Sequence, residues 1–194
     1  ASPVAWRNSM DLVLEFYNLR RKQLFEVSPN KGHISLVELE SYFDVQIITQ
    51  NVDDLHERAG STKVLHLHGE LKKARSTVDD NLIYDLHHWE LKKGDLCKKG
   101  SQLRPHIVWF GEAVPHFEKA IQIVSQADFL IVVGTSLSVY PAAAIMNYAP
   151  MHASRYYIDP QAENQAHQKN LIIIAKKAGE GLPLIVEQLK CDSV

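Results

Sequence analysis

Paired cysteines are missing: of 194 residues only Cys97 and Cys191 are cysteine, and no C-x-x-C occurs. That excludes a disulfide framework, argues against a four-ligand zinc knuckle and suits a reducing, cytoplasmic setting. His87 and His88 are neighbours, a spacing from which regular structure does not let both chelate one ion. No excess of basic charge is present either. Twenty-one Lys and Arg face 23 Asp and Glu, a formal net charge of −2, so nothing overall argues for nucleic acid. The densest basic stretch, residues 71–104, reads as a solvated face. No apolar run approaches 18 residues, so no membrane-spanning helix is expected. The opening "ASPVAWRNSM" has neither a signal-peptide apolar region nor an initiator methionine, as expected of a processed chain or a fragment.

What is present is 45% hydrophobic residues, enough for one domain with a sizeable core. Met10, Val13, Leu14, Tyr17 and Leu24 recur at helical spacing, with Asn8 or Ser9 as cap. A second helix is expected over 28–43, capped by Ser28 with Pro29 at its first position. Short apolar runs at 45–49, 64–67, 107–110, 129–133, 156–158 and 171–175 read as buried strands. Helical stretches are expected at 53–59, 116–126, 141–148 and 183–190. Apolar strands alternating with helices predict an α/β fold, a Rossmann-like parallel sheet covered on both faces. Residues 72–105 are polar and weakly periodic and read as an inserted lobe.

The polar residues fall where these runs end: T-Q-N-V-D, L-H-G-E, F-G-E, G-T-S and D-P. Ligands bind at the carboxyl ends of strands in open parallel sheets, so the five signatures mark a crevice. Each has a plainer alternative. Gln50, Asn51 and Asp53 make either an Asx-rich turn or a set of amide and carboxylate contacts to a carboxamide or ribose. His68 is either a structural histidine or a neutral imidazole that takes a proton. Gly134, Thr135 and Ser136 form a strand-to-helix turn, or an anion and ribose site. Tyr17 and Arg20 share a helix face, either solvated or able to grip a carboxylate.

The stretches "TQNVDDLHERAG", "LHLHGEL", "LRPHIVWFGE" and "VVGTSLSVYPAA" together resemble the sirtuin family of NAD-dependent protein lysine deacylases. The likeness covers essentially the whole chain. The pattern F-Y-x-x-R-R, here Phe16, Tyr17, Arg20 and Arg21, is similar to the class III branch that prefers acidic acyl groups. The resemblance implies one catalytic domain over 1–194, with a core at 44–71 and 105–194 and small-lobe insertions at about 1–43 and 72–104. It implies His68 as the base acting on a ribose hydroxyl, and NAD as the cofactor. Gln50, Asn51 and Asp53 would contact nicotinamide and ribose, and Gly134, Thr135 and Ser136 phosphate and ribose. Val108, Trp109, Phe110, Gly111 and Glu112 would pair with an acylated lysine peptide, the implied partner. Tyr17 and Arg20 would hold a succinyl or malonyl carboxylate.

Three departures from the family pattern stand out. The glycine-rich G-A-G-I-S loop and first strand, expected ahead of Ala1, are not in these residues. The zinc cysteines are replaced near Ser76, Asp79, Cys97 and Ser101, so no zinc is expected. The asparagine that contacts the adenine ribose gives way to "YYIDP", where Tyr157 or Asp159 substitutes, while Ala178 falls near the adenine. The competing functions are a truncated or inactive module that binds acyl-lysine or ADP-ribose, and an NAD-consuming ADP-ribosyltransferase.

Overall fold

The computed structural model describes residues 1–135, 142–162 and 171–192. Two short strands, β1 (Ile47–Thr49) and β2 (Val64–His66), pair through bonds that climb both strands in the same direction: Ile47 N–H to Lys63 O and Leu67 N–H to Thr49 O, each 2.9 Å. Contacts divide the chain into two compact units. The first holds Ala1–Ser28, Thr49–Asp54 and His66–Pro115; the second holds Pro29–Ile48, Leu55–Leu65 and His116–Val194.

The first unit begins with α1 (Pro3–Asn8), whose first turn is capped by the Ser2 hydroxyl accepting the Ala5 N–H at 3.2 Å. The chain breaks at Ser9 and resumes as α2 (Met10–Glu26). Val13, Leu14, Tyr17 and Leu24 are buried, as their spacing predicts. Asn18 and Arg21 share that buried face, which the apolar pattern did not reveal. Arg21 is completely buried. Its guanidinium donates to Asn18 Oδ1 (2.9 Å), Trp89 O (2.6 Å) and Leu71 O. Asn18 in turn bonds both Leu91 O (3.0 Å) and Leu91 N (2.9 Å). Burial lowers the Arg21 pKa to about 10, so it remains a cation at neutral pH.

Residues 72–105, expected as an inserted lobe outside the sheet core, build most of a separate antiparallel sheet in the order β4-β3-β5, from β3 (Gly69–Ser76), β4 (Ile83–Asp85) and β5 (Leu103–Ile107). Its polarity hid the strands because Lys72 and Lys73 sit in ion pairs with Asp54 (3.0 Å) and Glu70 (2.9 Å) while Leu71, Ala74, Arg75 and Ser76 are buried. The strand expected at 107–110 is displaced to Leu103–Ile107, because the chain beyond Ile107 turns back on itself.

In the second unit, α3 (Lys31–Leu39) starts later than expected. Its cap is Asn30, not Ser28: Asn30 Oδ1 accepts from Gly32 N (2.9 Å) and His33 N (3.3 Å), and His33 Nδ1 accepts the Asn30 N–H at 3.2 Å. The short helix α4 (Leu55–Ala59) and α5 (Phe117–Val124) precede β6 (Phe129–Val133). The short helix α6 (Ala142–Ile145) runs into a 3₁₀ turn, Met146–Tyr148, and is followed by β7 (Ser154–Ile158), β8 (Leu171–Ile174) and α7 (Ala178–Asp192). The expected parallel sheet is present here as β6-β7-β8, in unbroken register from Phe129↔Ser154 to Val133↔Ile158. Leu39, Tyr156, Ile158, Leu182, Ile185, Val186 and Leu189 form its core. Helix α7 begins five residues before the expected Pro183. Gly181 makes that possible, since a Cβ there would lie 2.5 Å from Ile158 Cγ2.

Candidate functional site

In the first unit the site is built where β1 ends and β3 begins. Thr49 Oγ1 accepts the Asn51 N–H at 3.0 Å, turning the chain sharply after the strand. Two imidazoles then anchor this corner. His68 Nδ1 lies 3.2 Å from Gln50 O, and His66 Nδ1 lies 3.2 Å from Asn51 O. A carbonyl only accepts, so each Nδ1 carries a proton. In neutral His68 that leaves the Nε2 lone pair as the acceptor. Gln50 Nε2 is buried without a hydrogen-bond partner among the described residues. An orphaned buried donor costs about 1–3 kcal/mol and is what a carboxamide or hydroxyl ligand would satisfy. Asn51 is exposed and Asp53 half-buried.

Gly69 fixes where His68 stands. Its φ is +83°, and a Cβ would fall 2.0 Å from His106 O, so only glycine lets β3 start against β5 here. The His68 carbonyl then accepts the Val108 N–H at 2.9 Å. The candidate base and the segment 108–112 are thereby joined by one backbone bond.

That segment is a closed turn. Glu112 N–H donates to Trp109 O (2.9 Å), and the Glu112 carboxylate accepts the Trp109 N–H (2.8 Å). Arg104 grips the same carboxylate with both arms, Nη1 to Oε1 at 2.6 Å and Nη2 to Oε2 at 3.0 Å, and also donates to Ile107 O at 2.9 Å. Arg75 Nη2 reaches Glu112 Oε2 at 3.5 Å. The Arg104 guanidinium lies 3.3 Å from the Trp109 ring centre, and Trp6 packs on that ring at 5.6 Å. Burial would push the Glu112 carboxyl up, but the Arg104 and Trp109 hydrogen bonds and the two arginine charges together hold it below its ordinary value. Gly111 has φ +90°, and Phe110 projects with 85% of its surface exposed.

Tyr17 is buried while Arg20 is exposed, its guanidinium 5.5 Å from the Phe16 ring centre. Burial raises the Tyr17 pKa, opposed by the polar edge of the neighbouring Trp109 indole and by the charges of Arg104 and Arg20. The pair expected from helix spacing therefore lies beside the 108–112 turn. Arg104, Arg75 and Trp6 went unassigned in the sequence. The signal for Arg104 was an arginine entering a buried strand with a glutamate eight residues on.

The remaining candidates belong to the second unit. Gly134 has φ +60° and donates its N–H to Ile158 O at 2.9 Å. The buried Tyr157 donates its hydroxyl to Thr135 O at 2.7 Å, and Asp159 Oδ1 accepts the Gln161 N–H at 2.8 Å. Ala178 opens α7. Ser136 lies outside the described residues.

The positions expected near a zinc knuckle hold another arrangement. Thr77 and Ser101 hydroxyls are 2.6 Å apart, Lys99 Nζ is 2.7 Å from Asp79 Oδ2, and Cys97 N–H donates to Ser101 O at 2.8 Å. The Ser76 hydroxyl bonds the Cys97 thiol and lowers its pKa. One thiol, with its neighbours committed to each other, does not fit a zinc tetrahedron. No group of three or more His, Cys, Asp or Glu suited to a metal ion occurs among the described residues.

Comparison with known proteins assigns this arrangement to a family. The Sir2 family profile matches residues 2–141, and the chain belongs to that family. It is 54% identical over 191 residues to an NAD-dependent protein deacylase of Helicobacter pylori, covering 97% of this chain and 82% of the relative. A Sir2 homologue solved in complex with NAD superposes with a TM-score of 0.89 at 35% identity, covering 100% of this chain and 77% of that one. A Sir2 protein bound to acetylated peptide gives 0.78 at 26% identity, covering 97% and 82%.

Proposed function

We propose that this protein is an NAD-dependent protein lysine deacylase that favours acidic acyl groups such as succinyl and malonyl. The observation that carries this is the joint at His68. Its Nδ1 is committed to Gln50 O, its Nε2 remains an acceptor, and its carbonyl holds the start of the 108–112 turn. The name of the Helicobacter pylori relative and the NAD and acetyl-peptide complexes of the structural neighbours support the same chemistry.

Bound NAD supplies the ribose that receives the acyl group as nicotinamide leaves. His68 takes the proton from a ribose hydroxyl. Gln50, with its unsatisfied buried Nε2, binds the carboxamide end together with Asn51 and Asp53. Gly134, Thr135 and Ser136 hold phosphate and ribose. Tyr157 fixes that corner through Thr135 O, Asp159 accepts from ribose hydroxyls, and Ala178 is assigned to the adenine. Val108, Trp109, Phe110, Gly111 and Glu112 receive the acylated peptide as an added strand. Tyr17 and Arg20 take the acyl carboxylate, a role supported by the two guanidinium charges acting on the Tyr17 phenol. Two free cysteines support a cytoplasmic setting.

In the intact protein, Arg20→Met is expected to lower kcat/KM on a succinyl-lysine peptide more than tenfold relative to the acetyl-lysine peptide. Equal loss on both substrates would contradict the acidic-acyl preference.

A further inference from the structure

We infer that Arg104 and Glu112 form a positioning pair for acyl-peptide recognition. The pair sets the 109–112 turn and, through Trp109, the surroundings of the Tyr17 phenol. The inference rests on the deacylase reading above and extends it by giving the Glu112 carboxylate, with Arg104 as its partner, a bracing role inside the peptide-receiving segment.

Four observations converge on one side chain. The Glu112 carboxylate closes its own turn by accepting the Trp109 N–H. Both its oxygens are held by Arg104 in a two-pronged grip, the geometry that fixes direction as well as distance. The side chains of Arg104 and Glu112 are 10% and 19% exposed, so water competes little for the pair. Arg104 is itself oriented by Ile107 O and by the Trp109 ring, whose centre lies 3.3 Å from the guanidinium carbon.

The consequence is mechanical. Trp109 is fixed at its backbone N–H by Glu112 and at its ring by Arg104 and by Trp6, and it lies beside the Tyr17 phenol. Gly111 at φ +90° lets the turn project Phe110, a large aromatic left 85% exposed on an otherwise braced segment. Bracing a recognition segment before the ligand arrives removes ordering cost from binding. Removing the brace therefore weakens peptide binding and blurs acyl choice. It leaves NAD binding intact, because the Gln50–His68 corner has its own anchors.

Steady-state deacylation by the intact protein tests this with Glu112→Gln, Glu112→Asp and Arg104→Lys, on succinyl- and acetyl-lysine peptides. Glu112→Gln is expected to raise peptide KM at least tenfold and to cut the succinyl-to-acetyl preference severalfold. The KM for NAD should stay within about twofold, and Glu112→Asp should recover part of the loss. A parallel rise in both KM values, or no rise at all, overturns the proposal. Hydrogen exchange provides a readout independent of turnover. Faster exchange of the Trp109 and Glu112 amides, with residues 13–24 unchanged, supports the brace; unchanged exchange at 109–112, or loss of protection throughout the first unit, overturns it. Absence of deacylation by the unsubstituted protein counts against the deacylase reading alone, and the exchange result still decides the brace.

Discussion

Arg21, Arg75 and Arg104, the buried arginines among the described residues, all lie in the first unit, together with buried Asn18, Thr49, His66 and Ser76. Among the described residues, the second unit keeps Ser35 and Ser61 as its buried polar side chains, and it is centred on Leu39, Ile158, Leu182, Ile185, Val186 and Leu189. One unit is held by side chains that bond backbone carbonyls and one another. The other is held by apolar packing between a parallel sheet and two helices. Apolar packing tolerates small shifts and repacks, whereas directional hydrogen bonds between buried polar groups restrict the arrangement. The unit carrying His68, the Gln50 corner and the 108–112 turn is the one built by the more exacting method.

The largest expected difference comes from Arg21→Met. The apolar stem is kept, but Leu71 O and Trp89 O lose their donor, costing about 3 kcal/mol. Hydrogen exchange should show protection lost in residues 69–91 and retained at 154–158 and 182–189; uniform loss would mean the two units do not respond separately.

Gly181→Ala probes the second unit. The new Cβ would meet Ile158 Cγ2 at 2.5 Å, the end of a side chain rather than backbone, so a cost of about 1–3 kcal/mol is expected. Because the conflict is one of shape, adding Ile158→Ala should relieve it, with the double variant more stable than the sum of the singles in denaturant titration. Strict additivity would remove Ile158 as the partner.

The smallest effect is on acid stability. The Glu112 pKa is depressed in the folded protein, so its contribution is present above the unfolded value, near 4.5, and is lost as pH falls through the lower folded one. Unfolding of the first unit should therefore steepen below about pH 4.5, and Glu112→Gln should flatten that slope. An unchanged slope would show that the Arg104 pairing adds no pH-dependent stability.

This same contrast explains what was legible in the sequence. Runs such as Phe129–Val133 announce a strand, so the parallel sheet of the second unit could be read directly, although β6, expected as buried, is half-buried with Phe129 exposed. Apolar spacing also placed Val13, Leu14, Tyr17 and Leu24 on one face of α2. It could not show that Arg21 faces inward while its neighbour Arg20 faces solvent, because the difference lies in acceptors 50 and 68 residues away. Nor could it find β3 to β5, whose lysines look solvated until Asp54 and Glu70 are placed beside them. Arg104 stayed unassigned for the same reason, since its meaning depends on where Glu112 folds back.

The most direct test is to incubate the intact protein with NAD and a succinyl-lysine peptide and identify products by mass. O-succinyl-ADP-ribose, nicotinamide and free lysine peptide in equal amounts are expected, with His68→Ala forming none of them while still binding the peptide. Nicotinamide released without loss of the acyl group, or undiminished turnover by His68→Ala, would contradict the role given to the His68 corner.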